Sequence, residues 1–470
     1  MSHDPYRLGF HIMPPIGWLN DPNGCCQKDG IYHVFHQYSP EWPNDLEENR
    51  GWGHAWSRDL VHWHHDGWVI HASLPEDATG SWSGSAAQVG DKLVLYYTGH
   101  VKEPGDHDYV FEGRQQNLLY IESPDGFTLG EKHILMHNSD YPPHCSNHVR
   151  DPFVWMQSDP AGDYHMLLGA RDKDSVGFAL LYHSHDGYTW EHDHDVRSSH
   201  PLGFMWECPS RVALSDANGT AHEFLSMCPQ GLPSREDCWQ NFEQAGYIPL
   251  DRPLKDTLLV DESLFEEWDR GFDFYAPQML VDESGRTLMF AWMGNFDQSM
   301  PGALPGMDWC GCLSAPRVLT MRSDGHILQA PVPELESLRD SELPQHGSGV
   351  IQAPDHRADI VMRGIQGDFS LSFDDAVTFS YANGTARLTF AEGSPAAAGR
   401  TERSCAMDAV RNLRILVDSS CLEIFLNEGE QVFTTRWFPT EETFTVRTDA
   451  DCEIIQAWHM QDGMRETYQE

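Results

Sequence analysis

Three acids in this chain of 470 residues stand in settings that suit them for chemistry. Asp21 lies in Trp18-Leu19-Asn20-Asp21-Pro22-Asn23-Gly24, Asp151 in Arg150-Asp151-Pro152, and Glu207 in Trp206-Glu207-Cys208-Pro209. A proline follows closely on each, which stiffens the backbone around the acid. Asp-Pro-Asn-Gly alone reads as a surface turn, dense in turn-forming residues. Three such acids, far apart in the chain, point instead to carboxylates that converge. Cleavage of a glycosidic bond through an oxocarbenium-like transition state needs one ionised and one protonated carboxyl. Asp21, among the amides of its turn, is suited to stay ionised. Glu207, between Trp206 and Cys208, has an apolar context that would raise its pKa and keep its proton near neutral pH. The charge of Arg150 would hold Asp151 ionised.

Little else in the chain competes with that chemistry. There are 26 His, but His62, His64 and His65, and His192 and His194, lack His-Glu-x-x-His or a comparable spacing. We expect no catalytic metal and no cofactor. There is no Gly-rich phosphate loop and no Gly-x-Ser-x-Gly elbow. With 31 basic and 72 acidic side chains the formal net charge is −41, a field that repels nucleic acid and anionic membranes. The 16 Trp and 15 Tyr are many; sugar-handling surfaces use flat aromatic faces, and β cores are filled by the same residues. No segment approaches a membrane span of about 20 apolar residues, and Met1–Phe10 does not read as a signal peptide. The 11 Cys are odd in number, and Cys25-Cys26 and Cys310-Gly-Cys312 suit neither a zinc site nor a secreted disulfide framework. Reduced thiols in a cytoplasmic protein are the expectation.

The elements that must position the acids are strands. Ile31–Tyr38, Leu93–Thr98, Tyr164–Gly169, Glu223–Cys228 and Thr287–Trp292 are short apolar or aromatic runs between Gly, Pro and Asp punctuation. An all-β sandwich, barrel or propeller follows. An internal echo chooses among them. Ser57-Arg-Asp-Leu-Val-His-Trp63, Ser123-Pro-Asp-Gly-Phe-Thr-Leu129 and Ser184-His-Asp-Gly-Tyr-Thr-Trp190 begin 66 and 61 residues apart. That period fits four-stranded blades and predicts a five-bladed β-propeller over residues 1–335. Pro333–Arg339 reads as a short helix, and 336–345 as a linker. Residues 346–470 then hold about eight strands joined by hairpin turns such as Asn383-Gly384, a C-terminal β-sandwich.

With these pieces placed, the chain resembles glycoside hydrolase family 32, the invertases, sucrose-6-phosphate hydrolases, levanases and inulinases. The three acid motifs look like that family's signatures. So do His33–Pro40, Trp52–Trp63, Trp82-Ser-Gly-Ser85, Asp273–Gln278, Trp292-Met-Gly294 and Leu413–Asn427. The resemblance implies a propeller followed by a sandwich. It also implies a retaining β-fructofuranosidase, with Asp21 as nucleophile, Glu207 as acid/base and Asp151 as transition-state stabiliser. It suggests Asn20, Gln37, Trp42, Trp82, Ser83, Arg150, Tyr275 and Trp292 as walls and hydrogen-bond partners of a fructose pocket. Trp82 stands where the family usually has Phe, and Pro43–Gly51, with Asp45, Glu47 and Glu48, departs from the usual loop.

Within the family, Cys228-Pro-Gln-Gly231, Gln240-Asn241 and Gly246-Tyr247 resemble the bacterial intracellular sucrases and sucrose-6-phosphate hydrolases. No run of Lys or Arg advertises a phosphate pocket, although Arg50, Arg58, Arg114 and Arg171 could meet in space. So acidic a chain favours unphosphorylated sucrose and short fructo-oligosaccharides. A fructosyltransferase on the same scaffold and a carbohydrate-binding propeller without catalysis are the rival readings.

Overall fold

The computed structural model describes residues 4–44, 50–157, 162–295, 303–346 and 349–464. The five apolar runs become strands Ile31–Ser39, Lys92–Lys102, Tyr164–Asp172, Ala221–Gln230 and Thr287–Trp292. Each is the second strand of its own sheet, so each marks one blade of a five-bladed propeller. The first strands are Gly17–Lys28, Ser81–Val89, Cys145–Met156, Met205–Ser215 and Tyr275–Val281, and they pack on one another in ring order around the axis. The ring is closed by the last blade, whose Trp309–Cys310 pairs in parallel with Gly17 and Trp18.

The serine echo is the turn after the third strand of the first three blades. In each copy the serine Oγ accepts the amide three residues on, at 3.0, 2.8 and 2.9 Å for Leu60, Gly126 and Gly187. The aspartate two residues after the serine accepts the two amides that follow. Leu60, Gly126 and Gly187 all have positive φ. Short polar side chains thus replace ladder hydrogen bonds and reverse the chain at the same point of each blade.

The acid motifs are not surface turns. All three lie in innermost strands, and all three are buried or half-buried. What the Pro residues mark is irregular pairing. The register slips between Leu19 and Pro22, between Glu207 and Ser210, and between Tyr275 and Gln278 on their strands. It slips again at Asp151-Pro152, between Arg150 and Phe153, whose partners are Gly169 and Leu167. Asp151, Cys208 and Ala276 have φ of 62°, 46° and 49°. A bulge leaves one residue outside the ladder, so Pro, which has no N–H to offer, is tolerated there, and the bulged strand turns its side chains toward the axis.

The remaining chain forms a six-stranded and a seven-stranded sheet with an apolar core between them. The stretch 336–345 is not a free linker. After the 3-10 turn Pro333–Leu338, Arg339–Glu342 joins the edge of the six-stranded sheet against Ile454–Met460. Its exposed, polar side chains explain why it does not read as a strand: an edge strand needs no continuous apolar face. Gln345–His346 is the edge of the other sheet. Among the described residues no helix is long and apolar enough to cross a membrane.

Candidate active site

At one end of the propeller axis the inner strands enclose a cavity of about 260 Å³, lined by Asn20, Asp21, Gln37, Arg50, Trp82, Ser83, Arg114, His148, Arg150, Asp151, Glu207 and Gln230. The three acids converge here, each from a different blade. Asp21 is held by neutral donors: Ser83 Oγ donates to Oδ2 at 2.8 Å and Asn20 Nδ2 to Oδ1 at 3.0 Å. Trp18 Nε1 donates to Asn20 Oδ1 at 2.8 Å, which fixes the amide that serves Asp21. Burial pushes the Asp21 pKa up, against those hydrogen bonds and the charge of Arg50; Glu207 adds to the rise.

Glu207 does not have the apolar setting its sequence neighbours suggest. Arg150 Nη2 donates to its Oε1 at 2.6 Å, and Tyr275 Oη and Gln230 Nε2 donate to its Oε2 at 2.6 and 3.0 Å. Trp206 turns away from the acids, its Nε1 donating to the Leu202 carbonyl at 2.8 Å, and the positive φ of Cys208 breaks the alternation of the strand just after Glu207. The guanidinium of Arg150 therefore belongs first to Glu207; its Nε is 3.8 Å from Asp151. Asp151 is not kept firmly ionised. Burial raises it to about 7, the Arg150 charge opposes the rise, and Glu207 adds to it. The Cys208 amide donates to Asp151 Oδ2 at 3.0 Å, and the Cys208 Sγ lies 3.9 Å from Asp21 and 3.8 Å from Asp151. Cys208 is thus the half-buried spacer between two acids, and desolvation together with their charges pushes its pKa up.

Asn20, Gln37, Trp82, Ser83 and Arg150 line the cavity as anticipated, while Trp42, Tyr275 and Trp292 do not. Trp292 is buried behind the site, packed on Trp18 and Tyr275 at centroid distances of 5.9 and 6.5 Å. Its position on a second strand, one row out from the axis, explains why it supports the wall without forming it. Tyr275 reaches the site by donating its hydroxyl to Glu207. Trp42 stands half-buried, 6.5 Å from Trp18. Asp45, Glu47 and Glu48 of the adjoining loop lie outside the described residues.

Sequence reasoning placed neither His148 nor Gln230 in the site. His148 sits two residues before Arg150 on the same strand and so on the same face, a signal that was there to read. It lies between Arg114 Nη1 at 3.1 Å and Arg150 Nη1 at 2.9 Å, and its Nε2 is 3.0 Å from the Tyr109 carbonyl. A neutral ring with its proton on Nε2 satisfies both contacts, and burial between two guanidiniums lowers its pKa to about 2. Arg50 and Arg114 reach the cavity; Arg58 is exposed, and Arg171 lies over Phe204. Among the described residues no group of three or more His, Cys, Asp or Glu is placed to hold a metal.

Residues 11–331 match the model of the glycosyl hydrolases family 32 N-terminal domain, and residues 368–459 that of the family 32 C-terminal domain. The chain belongs to glycoside hydrolase family 32. It is 33% identical over 457 residues to the sucrose-6-phosphate hydrolase of Bacillus subtilis, spanning 93% of this chain and 90% of that one. To the raffinose invertase of Escherichia coli it is 31% identical over 449 residues, spanning 92% and 90%. Among solved structures, a sucrose-6-phosphate hydrolase from Lactobacillus gasseri superposes with a TM-score of 0.85 at 27% identity, covering 98% of this chain and 95% of that one. A Bombyx mori β-fructofuranosidase variant in complex with sucrose gives 0.80 at 25% identity, with coverage of 98% and 95%.

Proposed function

We propose that this family 32 glycoside hydrolase is a retaining β-fructofuranosidase that cleaves the terminal fructosyl bond of sucrose and short fructo-oligosaccharides. The observation that carries the reading is the meeting of Asp21, Asp151 and Glu207 in one cavity, each with a different set of partners. Asp21, bonded only to neutral donors, attacks the anomeric carbon as the glucosyl C–O bond breaks. Glu207 gives its proton to the departing oxygen, which leaves as a hydroxyl. Water then attacks the fructosyl ester, Glu207 takes the water's proton, and Asp21 departs as carboxylate. Asp151 binds fructose hydroxyls and opposes the positive charge that grows on the ring.

The roles are separated by leaving group. Glu207→Ala should all but stop sucrose cleavage yet still form the fructosyl-enzyme from fructosyl fluoride, whose leaving group needs little protonation. Azide should then speed its turnover. Asp21→Ala should be rescued by neither. Equal losses on both substrates, with no azide effect in either variant, would sink the assignment. The same assay reports whether sucrose at high concentration yields free fructose or longer oligosaccharides.

A second reading is favoured by one observation. Arg50, Arg114 and Arg150 all line the cavity, which concentrates cationic donors in an otherwise acidic chain. Such a lining suits a phosphorylated sugar. If sucrose 6-phosphate is the better substrate, its kcat/KM should exceed that of sucrose and fall preferentially in Arg114→Ala. All 11 cysteines are free thiols, in keeping with a reducing compartment. The proposed chemistry uses no metal, so activity should survive prolonged chelation.

A further inference from the structure

One buried acid beside the cavity has no part in the chemistry above. Glu243 follows Gln240-Asn241-Phe242, is 5% exposed, and lies close enough to Glu207 and Tyr275 to act on both electrostatically. Its backbone is clamped from both sides by Asn295: the Glu243 amide donates to Asn295 Oδ1 at 3.2 Å, and Asn295 Nδ2 donates to the Glu243 carbonyl at 2.9 Å. Among the described residues its side chain makes one hydrogen bond, accepting the Gly231 amide on Oε2 at 3.1 Å. Gly231 is itself fixed. Its φ is +81°, and a Cβ there would meet the Phe204 ring at 2.5 Å. The next residue back is Gln230, which donates to Glu207 Oε2 at 3.0 Å. A continuous path therefore runs from the Glu243 carboxylate through the Gly231 amide and the Gln230 side chain to Glu207.

We propose that Glu243 is a positioning residue for Glu207: it holds the Gly231 turn that aims Gln230 at the Glu207 carboxyl. The inference rests on the reading of Glu207 as acid/base. Among the described residues, the titratable groups that face Glu243 are Glu207, from the strand Met205–Ser215, and Tyr275, from the strand Tyr275–Val281; Asn295 presents only an amide. Among the described residues no Lys, Arg or His is in ion-pair contact with it. Burial raises Glu243 to about 7, and the Glu207 charge adds to the rise. The carboxylate is a stronger acceptor for the Gly231 amide than the neutral carboxyl.

Fructosyl fluoride needs little protonation of its leaving group, so the ratio of kcat on sucrose to the rate of fructosyl-enzyme formation from the fluoride reads how well Glu207 is aimed. Glu243→Ala removes the acceptor for the Gly231 amide, so kcat on sucrose should fall about tenfold while formation of the fructosyl-enzyme from the fluoride stays near the wild type. Glu243→Met, of similar volume but without the acceptor, should show the same selective loss and stands in if the first variant does not fold. Glu243→Gln keeps an acceptor and should retain most of the sucrose activity. A packing role lowers both substrates together and spares the Met variant, and that result overturns the proposal. So does a sucrose kcat that stays at the wild-type level in both Ala and Met variants. Glu207→Gln separates the two levels of the argument. If it still cleaves sucrose, the acid/base reading falls and this inference with it. If it is inactive while the Glu243 variants keep the wild-type ratio, only the role of Glu243 falls.

Discussion

The open end of the propeller and the seam between propeller and sandwich both bury carboxylates, and the two regions treat them differently. At the seam, Asp418, Glu423 and Asp269 are fully paired. His11 Nδ1 and Nε2 donate to Asp418 and Glu423 at 2.8 and 2.9 Å, and two acceptors require both ring nitrogens protonated. Arg317 Nη2 reaches Glu423 at 2.5 Å and Asp269 at 3.1 Å. The amides of Gly9, Phe10 and His11 complete Asp418. In the cavity, by contrast, Arg150 is in contact with two of the acids and favours Glu207, while the charge of Arg50 acts on Asp21. Burial wins there: Asp21 and Asp151 are pushed up. At the seam pairing wins for Glu423, which goes down to about 2, and His11 rises to about 10, although burial alone would move both the other way; at Asp269 burial outweighs the Arg317 charge and raises it to about 6. Buried acids with matched cations hold domains together; buried acids left short of cations keep the chemical potential that catalysis uses.

The largest expected effect breaks the cavity half of that contrast. Asp21→Ala and Glu207→Ala should each lower kcat on sucrose by about 10⁴-fold or more. The melting temperature of Asp21→Ala should not fall, because the groups that hold Asp21 are neutral donors that strand no buried charge. An Asp21→Ala protein that lost activity and stability together would place this acid with the seam.

Next comes the seam itself. Arg317→Met leaves Glu423 and Asp269 buried without their guanidinium, which costs about 3–5 kcal/mol by the usual penalty for breaking a buried pair. Denaturant unfolding measures the loss. The kcat of the molecules that remain folded should be near the wild type, since Arg317 lies outside the cavity. A large kcat loss in folded protein would mean that the seam shapes the site.

How much of this could be read from the chain follows the same division. The five second strands were legible because their central stretches are buried and rich in apolar and aromatic residues, and the serine turns because they reuse one hydrogen-bond scheme. The acids were legible as a set through their motifs. Their surroundings were not. Arg150 reads as the partner of its neighbour Asp151, yet strand geometry sends its guanidinium across to Glu207, a contact between residues 57 positions apart. Trp292 reads as a pocket wall and is one strand too far out. Arg339–Glu342 reads as linker because edge strands need no apolar alternation. The seam left no signal at all: His11, Arg317 and Glu423 are single residues whose meaning appears only when three distant segments meet.

The third prediction uses pH to sharpen the seam. The folded-state pKa of His11 is about 10 against a usual 6.5, so its contribution is fully present below 6.5 and is lost as pH rises through about 10. Glu423 lies at about 2 against 4.5, so its contribution is present above 4.5 and is lost as pH falls through about 2. Wild-type melting temperature should therefore decline between pH 8 and 10, roughly the window of the His11 change. His11→Gln should be less stable at pH 7 and flatter over that window. A variant with the wild-type slope would assign the alkaline loss to other groups.

The smallest effect tests the cavity in the opposite direction. Asp151 is raised from 3.8 to about 7, so its contribution to stability is fully present below 3.8 and is lost as pH rises through about 7. At neutral pH the folded protein therefore holds a carboxylate that would be more comfortable neutral. Asp151→Asn keeps the shape and an acceptor for the Cys208 amide, removes that charge, and relieves its repulsion with Glu207 and Asp21. Thermal unfolding at pH 7.5 should show a gain of about 1 kcal/mol, the scale on which functional sites trade stability for activity. The gain should shrink toward pH 4, where the wild-type acid is already protonated. Arg150 sets the limit on the size of the effect, because its charge still attracts the ionised acid across 3.8 Å. The variant's kcat should fall by orders of magnitude over the same range if Asp151 opposes charge on the ring. A loss of stability with pH-independent size would mean that Asp151 is paired as completely as Asp418, and the contrast between the two regions would not hold at this residue.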